Sequence, residues 1–296
     1  MTKRYLLIAL GAALLLGCGV LAFRAWHTAP QQPALEEPAE VVPVPVEIPF
    51  SRTETIGTSV EGRTIAATSY GHGSTSVLFV GGIHGGYEWN SVLLAYAFMD
   101  YLEAHHEFVP ESLTITVIPN INPDGVFTVI GKEGRFAESD VPANEGPLGT
   151  GRLNAHDVDL NRNFDCKWAP TSNWRSTIVS AGTAAFSEPE AAALRDYVAA
   201  HPPKAAIFWH SQANAVYGSE CHDGVLPGTR TVMQAYAQAA GYTAVPAFTA
   251  YPITGDAEGW LASIGIPAIT VELATHATIE WERNLRGITA LLAVFK

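Results

Sequence analysis

Four side chains capable of acid–base or metal chemistry stand at or near the ends of short apolar runs. His84 and Glu88 lie four apart in the loop GGIHGGYEWN of residues 81–90, His210 directly follows AAIFW, and Glu272 sits inside AITVEL. Two imidazoles and one carboxylate make a three-ligand zinc site with the fourth position open for water, and a second carboxylate close by would serve as general base. Each residue also has an ordinary structural explanation. His84 could be a loop histidine satisfied by a carbonyl, Glu88 a favourable acid in a first helical turn, His210 a structural histidine and Glu272 the partner of a buried arginine. Their shared placement at strand ends favours the metal.

Those positions require strands that bring their carboxyl ends together. The apolar and β-branched runs at 76–80, 113–118, 205–209 and 268–273 are expected as core strands, and 54–59 with 63–69 as a hairpin turning at Glu61-Gly62. Between them, Trp89 to Glu103 carries apolar residues at helical spacing. Further helices are expected at 191–200, 229–240 and 278–294, and another starting near Asp256. Ser187, Pro189 and Glu190 are expected to form an N-terminal capping box. Pro119 to Gly125 reads as a turn-rich loop, and Lys132 to Thr150 as a long surface loop. Strands alternating with helices imply an α/β fold: three layers, α/β/α, on a mainly parallel or mixed central sheet. The segment VDLNRNF at 158–164 suits neither a helix nor a buried strand and invites a functional reading.

The 296 residues, 48% of them hydrophobic, are enough for one large core. The formal charge is −12 although the first 26 residues contain Lys3, Arg4, Arg24 and no acid, so the remainder is more acidic still and a nucleic-acid partner is not expected. Tyr5 to Phe23 is an uncharged run of nineteen, long enough to span a bilayer. An uncleaved membrane anchor is the favoured reading. A cleaved signal peptide or lipidation at Cys18 in Leu-Leu-Gly-Cys are the alternatives, and all three put the domain outside the cytoplasm. Residues 27–50, with prolines at 30, 33, 38, 43, 45 and 49, read as a semi-rigid spacer, which leaves 51–296 as the catalytic-size domain. Cys166 and Cys221, the two cysteines of that domain, are expected to pair in an oxidising compartment, the alternative being two unrelated thiols.

From about Thr53 to the C-terminus the chain resembles the zinc carboxypeptidases of the pancreatic carboxypeptidase A superfamily. The resemblance implies one zinc ion held by His84, Glu88 and His210, the last in Trp-His-Ser. It implies Glu272 in Thr-Val-Glu-Leu as general base and Arg152 in Gly-Arg-Leu-Asn as the group that polarises the scissile carbonyl. Asn161-Arg162 matches the pair that grips the substrate's terminal carboxylate, and Tyr251, ahead of Gly255 and Trp260, matches a mobile tyrosine that closes over the bound residue. The first motif departs from the family pattern: its His and Glu are usually three apart, and here they are four apart.

The resemblance implies metal-assisted hydrolysis of the last peptide bond of a peptide or protein, with Glu272 moving the proton and no acyl-enzyme. Counting back from Trp260 puts the position that selects the terminal side chain on Glu258, where an acid would favour basic ends. Two other functions fit the same residues: trimming of peptidoglycan stem peptides that contain diaminopimelate, and a catalytically inactive module that binds chain ends. Presence of Glu272 beside a full ligand set argues against the inactive module.

Overall fold

The computed structural model describes residues 49–143 and 148–296. The expected anchor at 1–26 and nearly all of the spacer at 27–50 lie outside the described residues. Among the described residues no helix is long and apolar enough to cross a membrane.

In chain order the elements are β1 (Ser51–Thr58), β2 (Thr64–Tyr70), β3 (Thr75–Val80), α1 (Trp89–Ala104), β4 (Leu113–Ile118), α2 (Pro123–Ile130), β5 (Thr171–Trp174), β6 (Thr177–Ser180), α3 (Pro189–Ala200), β7 (Ala205–Ser211), β8 (Ala215–Gly218), α4 (Pro227–Ala240), β9 (Thr243–Val245), α5 (Ala257–Ser263), β10 (Ala268–Leu273) and α6 (Trp281–Leu292). Eight strands form one mixed sheet in the order β1-β2-β4-β3-β7-β10-β8-β9, and β5 and β6 pair as a separate hairpin. The central strands β4, β3, β7 and β10 are mutually parallel. Their carboxyl ends therefore emerge along one edge, the place where open α/β sheets put their sites.

Strand alternation sorts side chains between two cores. Val77, Phe79, Ile207, Trp209, Ile269 and Val271 pack with α1, α4 and α6 on one face. Leu78, Val80, Ala206, Phe208 and Ala268 pack with α3 and α5 on the other. The α/β/α layering expected from the sequence is thus present, with a mixed sheet. By the same alternation His210, Thr270 and Glu272 belong to the face that carries α5, because they continue the 206–208 and 268 series.

Local differences from the sequence expectations have identifiable causes. The loop expected at 119–125 ends at Asn122 and α2 begins at Pro123, because Asn122 caps it by accepting from Gly125 N at 2.9 Å while Pro123 occupies the first helical turn. The N-cap of α3 is Glu188, with no side-chain cap bond, instead of Ser187. Ser187 Oγ is turned to the site loop, where it accepts from Asn163 Nδ2 at 3.0 Å and donates to Glu188 Oε1 at 2.9 Å. His210 lies within β7, one residue before its end. The short strands β5, β6, β8 and β9 had no sequence counterpart, being too brief to show a period.

Candidate metal centre and active-site pocket

His84 leaves β3 through a single 3-10 turn, Gly85–Glu88, that runs directly into α1. Gly85 has φ +48°, and a Cβ there would stand 2.4 Å from the carbonyl oxygen of Gly151, so this position requires glycine. The tight turn accommodates the four-residue spacing: His84 Nδ1 is 2.8 Å from Glu88 Oε1. His210, delivered by β7, places its own Nδ1 3.2 Å from His84 Nδ1 and 3.0 Å from Glu88 Oε2. All three residues are buried, and their ligand atoms lie within 4.8 Å of one another.

This arrangement fits a zinc ion on its chemistry and on its spacing. Donors around a tetrahedral zinc with bonds of about 2.0–2.1 Å stand roughly 3.3 Å apart, close to the separations observed here. Two imidazole nitrogens and a carboxylate, all buried, converge on one point, the donor set that zinc takes. Burial alone would raise the Glu88 pKa, but the two imidazoles outweigh it and hold the carboxyl well below its usual range.

Glu272 follows from strand register. It is the partner of His210 where β10 pairs with β7. Its Oε2 is shielded and unpartnered, and burial, followed by the negative charge of Glu88, pushes its pKa up to about 8. Arg152 is fixed by Asp159, whose Oδ2 accepts from its Nε at 3.0 Å and its Nη2 at 2.8 Å, and its guanidinium lies 4.6 Å from the Trp174 ring centroid. Asp159 would be raised by burial, yet Arg152 and then Arg162 keep it well below the ordinary carboxylate range. Its Oδ1 also stands 3.5 Å from His84 Nε2.

Arg162 donates from Nε and Nη2 to the Asn173 carbonyl at 3.2 and 3.0 Å, and Asn161 Oδ1 accepts from Ala257 N at 2.8 Å. The pair is thereby locked between the β5–β6 hairpin and the start of α5. Cys166 and Cys221 are disulfide-bonded, with Cα atoms 5.9 Å apart, and Gly255 N donates to Cys166 O at 2.7 Å, so the same loop is tied to a second site segment. Tyr251 packs edge-on against Phe248, ring centroids 4.8 Å apart. Glu258, in the first turn of α5, is 2% exposed, and its Oε1 accepts from His210 Nε2 at 3.1 Å and Thr270 Oγ1 at 2.8 Å.

All nine residues singled out in the sequence, His84, Glu88, Arg152, Asn161, Arg162, His210, Tyr251, Glu258 and Glu272, line one cavity of about 570 Å³. Sequence reasoning did not find Asp159, Thr270, Trp174 or Arg175 as site residues. Asp159 sits inside the segment already flagged at 158–164. Thr270 is visible only through strand alternation, and Trp174 and Arg175 arrive on a hairpin with no sequence signal.

Residues 48–280 match the family model described as zinc carboxypeptidase. The chain is 32% identical over 243 residues to a carboxypeptidase B of Helicoverpa zea, covering 73% of this chain and 56% of that protein. It is 25% identical over 257 residues to gamma-D-glutamyl-L-diamino acid endopeptidase 1 of Lysinibacillus sphaericus, covering 77% of this chain and 61% of that one. The chain therefore spans less than two thirds of either relative. Among solved structures, thrombin activatable fibrinolysis inhibitor superposes with a TM-score of 0.65 at 19% identity, over 83% of this chain and 67% of that chain.

Proposed function

Because the chain belongs to the zinc carboxypeptidase family, we propose that it is a zinc-dependent hydrolase that cleaves the last peptide bond of peptides or proteins outside the cytoplasm. The observation that carries the proposal is convergence: Glu272, Arg152 and Arg162 share one cavity with the His84, Glu88 and His210 ligand set. An inactive binding module would have no use for the unpartnered, proton-holding Glu272. The disulfide supports an oxidising location. The proposed catalytic unit is residues 51–296, with the apolar run at 5–23 as its membrane anchor.

His84, Glu88 and His210 would hold a zinc ion, which would supply a Lewis acid and lower the pKa of a bound water. Arg162, with Asn161, receives the terminal carboxylate of the substrate, since a planar guanidinium meets a carboxylate through two hydrogen bonds. Glu272 takes a proton from the attacking water as its oxygen bonds to the carbonyl carbon. Arg152 donates to the oxygen that becomes negative, and because Asp159 already fixes its orientation, little reorganisation accompanies the charge. Glu272 then delivers its proton to the departing nitrogen as the C–N bond breaks. Tyr251, on the segment between β9 and α5, closes over the terminal residue.

Glu258 lines the pocket for that residue. Burial would raise its pKa, but hydrogen bonding from His210 outweighs burial and keeps it below the usual value, which supports a preference for lysine or arginine ends.

One observation favours a second substrate class. Arg175 is exposed, lines the cavity, and makes no ion pair among the described residues, so it is available to a second carboxylate on the substrate. A γ-glutamyl-diaminopimelate peptide from peptidoglycan offers one, and the Lysinibacillus relative is named for that bond type. The deciding experiment is zinc analysis of the purified chain with amino-acid release from a mixed peptide library and from a γ-glutamyl-diaminopimelate peptide. One zinc per chain with release from either pool supports hydrolysis and identifies the class. A chain that binds zinc and releases nothing from both, or that binds none, overturns the proposal.

A further inference from the structure

The two candidate histidine ligands are supported differently on the side away from the metal position. His84 Nε2 has Asp159 Oδ1 at 3.5 Å and makes no hydrogen bond. His210 Nε2 has Glu258 Oε1 at 3.1 Å. That oxygen also accepts from Thr270 Oγ1 at 2.8 Å, and Thr270 lies two residues before Glu272 on the same face of β10.

An imidazole has two nitrogens, and only one carries the proton when the ring is a neutral ligand. Whatever accepts at Nε2 keeps the proton there and turns the lone pair of Nδ1 toward the metal position. For His210 the acceptor is Glu258, and its carboxylate is held from both ends. Thr270 fixes the oxygen, and the helix that carries Glu258 is pinned by Asp256 Oδ2 accepting from Gly259 N at 2.7 Å and by Asn161 Oδ1 accepting from Ala257 N at 2.8 Å. The side chain is 3% exposed, so water competes poorly for the bond.

We propose that Glu258 is a positioning residue for the metal centre: it holds His210 in the tautomer and orientation in which Nδ1 faces His84 and Glu88. It therefore couples the pocket for the terminal side chain to the metal, through one carboxylate oxygen. The inference rests on the zinc reading of the site and extends Glu258 beyond selecting the substrate's end.

The test measures zinc affinity of the full chain by competition with a chromogenic chelator, for wild type, E258A, E258Q and E258D. Removing an acceptor behind a metal-bound histidine weakens the metal on the order of 10–100-fold, and E258A is expected to do so. E258Q keeps an amide oxygen at the same reach and is expected to stay within a few-fold of wild type while losing the charge. E258D keeps the charge and withdraws the oxygen, so it is expected to fall with E258A. If E258A does not fold, as judged by circular dichroism, the contrast between E258Q and E258D carries the test alone. Wild-type affinity in E258A or E258D, or a loss in E258Q equal to that in E258D, overturns the inference. A wild type that binds no zinc overturns the functional reading as well, which separates the two failures.

Discussion

Glu272 and His210 are direct partners in the parallel register of β10 on β7, so a carboxylate and an imidazole are delivered side by side from two strands that are 62 residues apart in sequence at this point. A one-residue slip would turn Glu272 into the opposite core. The pairing thus fixes the proposed proton carrier relative to the proposed metal ligand without any loop taking part.

Glu272→Gln is expected to reduce kcat/KM by about 10²–10⁴-fold, the usual worth of a positioned acid–base group, while zinc content stays at one per chain. His84→Ala and His210→Ala are expected to lose the metal itself. Steady-state kinetics paired with elemental analysis decides the assignment. Loss of zinc in the glutamine variant would move Glu272 into the ligand set.

Without metal, Glu272 should make stability depend on pH. Its pKa rises from 4.5 to about 8 on folding, so between those values the folded chain holds a proton that the unfolded chain has released. Stability therefore falls as pH rises through this window, and the effect is complete once the folded group ionises. Urea titrations of EDTA-treated protein from about pH 5 to about pH 8 should show a steeper decline for wild type than for Glu272→Gln. Parallel declines in the two proteins would contradict the raised pKa.

The Cys166–Cys221 bond closes a loop with a sequence separation of 55, for which chain entropy gives about 4 kcal/mol of stabilisation and experience roughly 2–4. In unreduced, denatured protein neither thiol should react with an alkylating reagent. Replacing both by serine should lower the urea midpoint, and should raise KM for chain ends because Arg162 and Gly255 are tied to the same loop. Full alkylation of both without reductant would disprove the bond.

Substrate ends ending in lysine should be cut in preference to those ending in leucine. In Glu258→Gln that ratio of kcat/KM should fall by about fivefold or more, since removing one buried charge opposite a cation is worth on the order of 1 kcal/mol or more. A matched peptide pair measures it. An unchanged ratio would mean that the carboxylate serves His210 alone.

The amino-acid sequence by itself determined the layer architecture, the core strands β3, β4, β7 and β10, and the nine residues gathered at the cavity. The architecture was legible because strand and helix periods are local, and His84, Glu88, His210 and Glu272 because they adjoin or interrupt apolar runs that would otherwise have no reason to carry polar groups, whereas Arg152, Asn161, Arg162, Tyr251 and Glu258 were picked out only by the resemblance to the zinc carboxypeptidases. The Cys166–Cys221 pairing was also legible, from there being two cysteines in the domain. Only the tertiary structure decided how the extra residue between His84 and Glu88 is absorbed, through a 3-10 turn whose Gly85 sits against the Gly151 carbonyl. It alone joined Asp159 to Arg152, Thr270 to Glu258 and Glu258 to His210, and Asn173 to Arg162. Those contacts connect residues on separate elements through side-chain reach and strand register. No local period or spacing encodes them, because they exist only after the sheet has brought its carboxyl ends together.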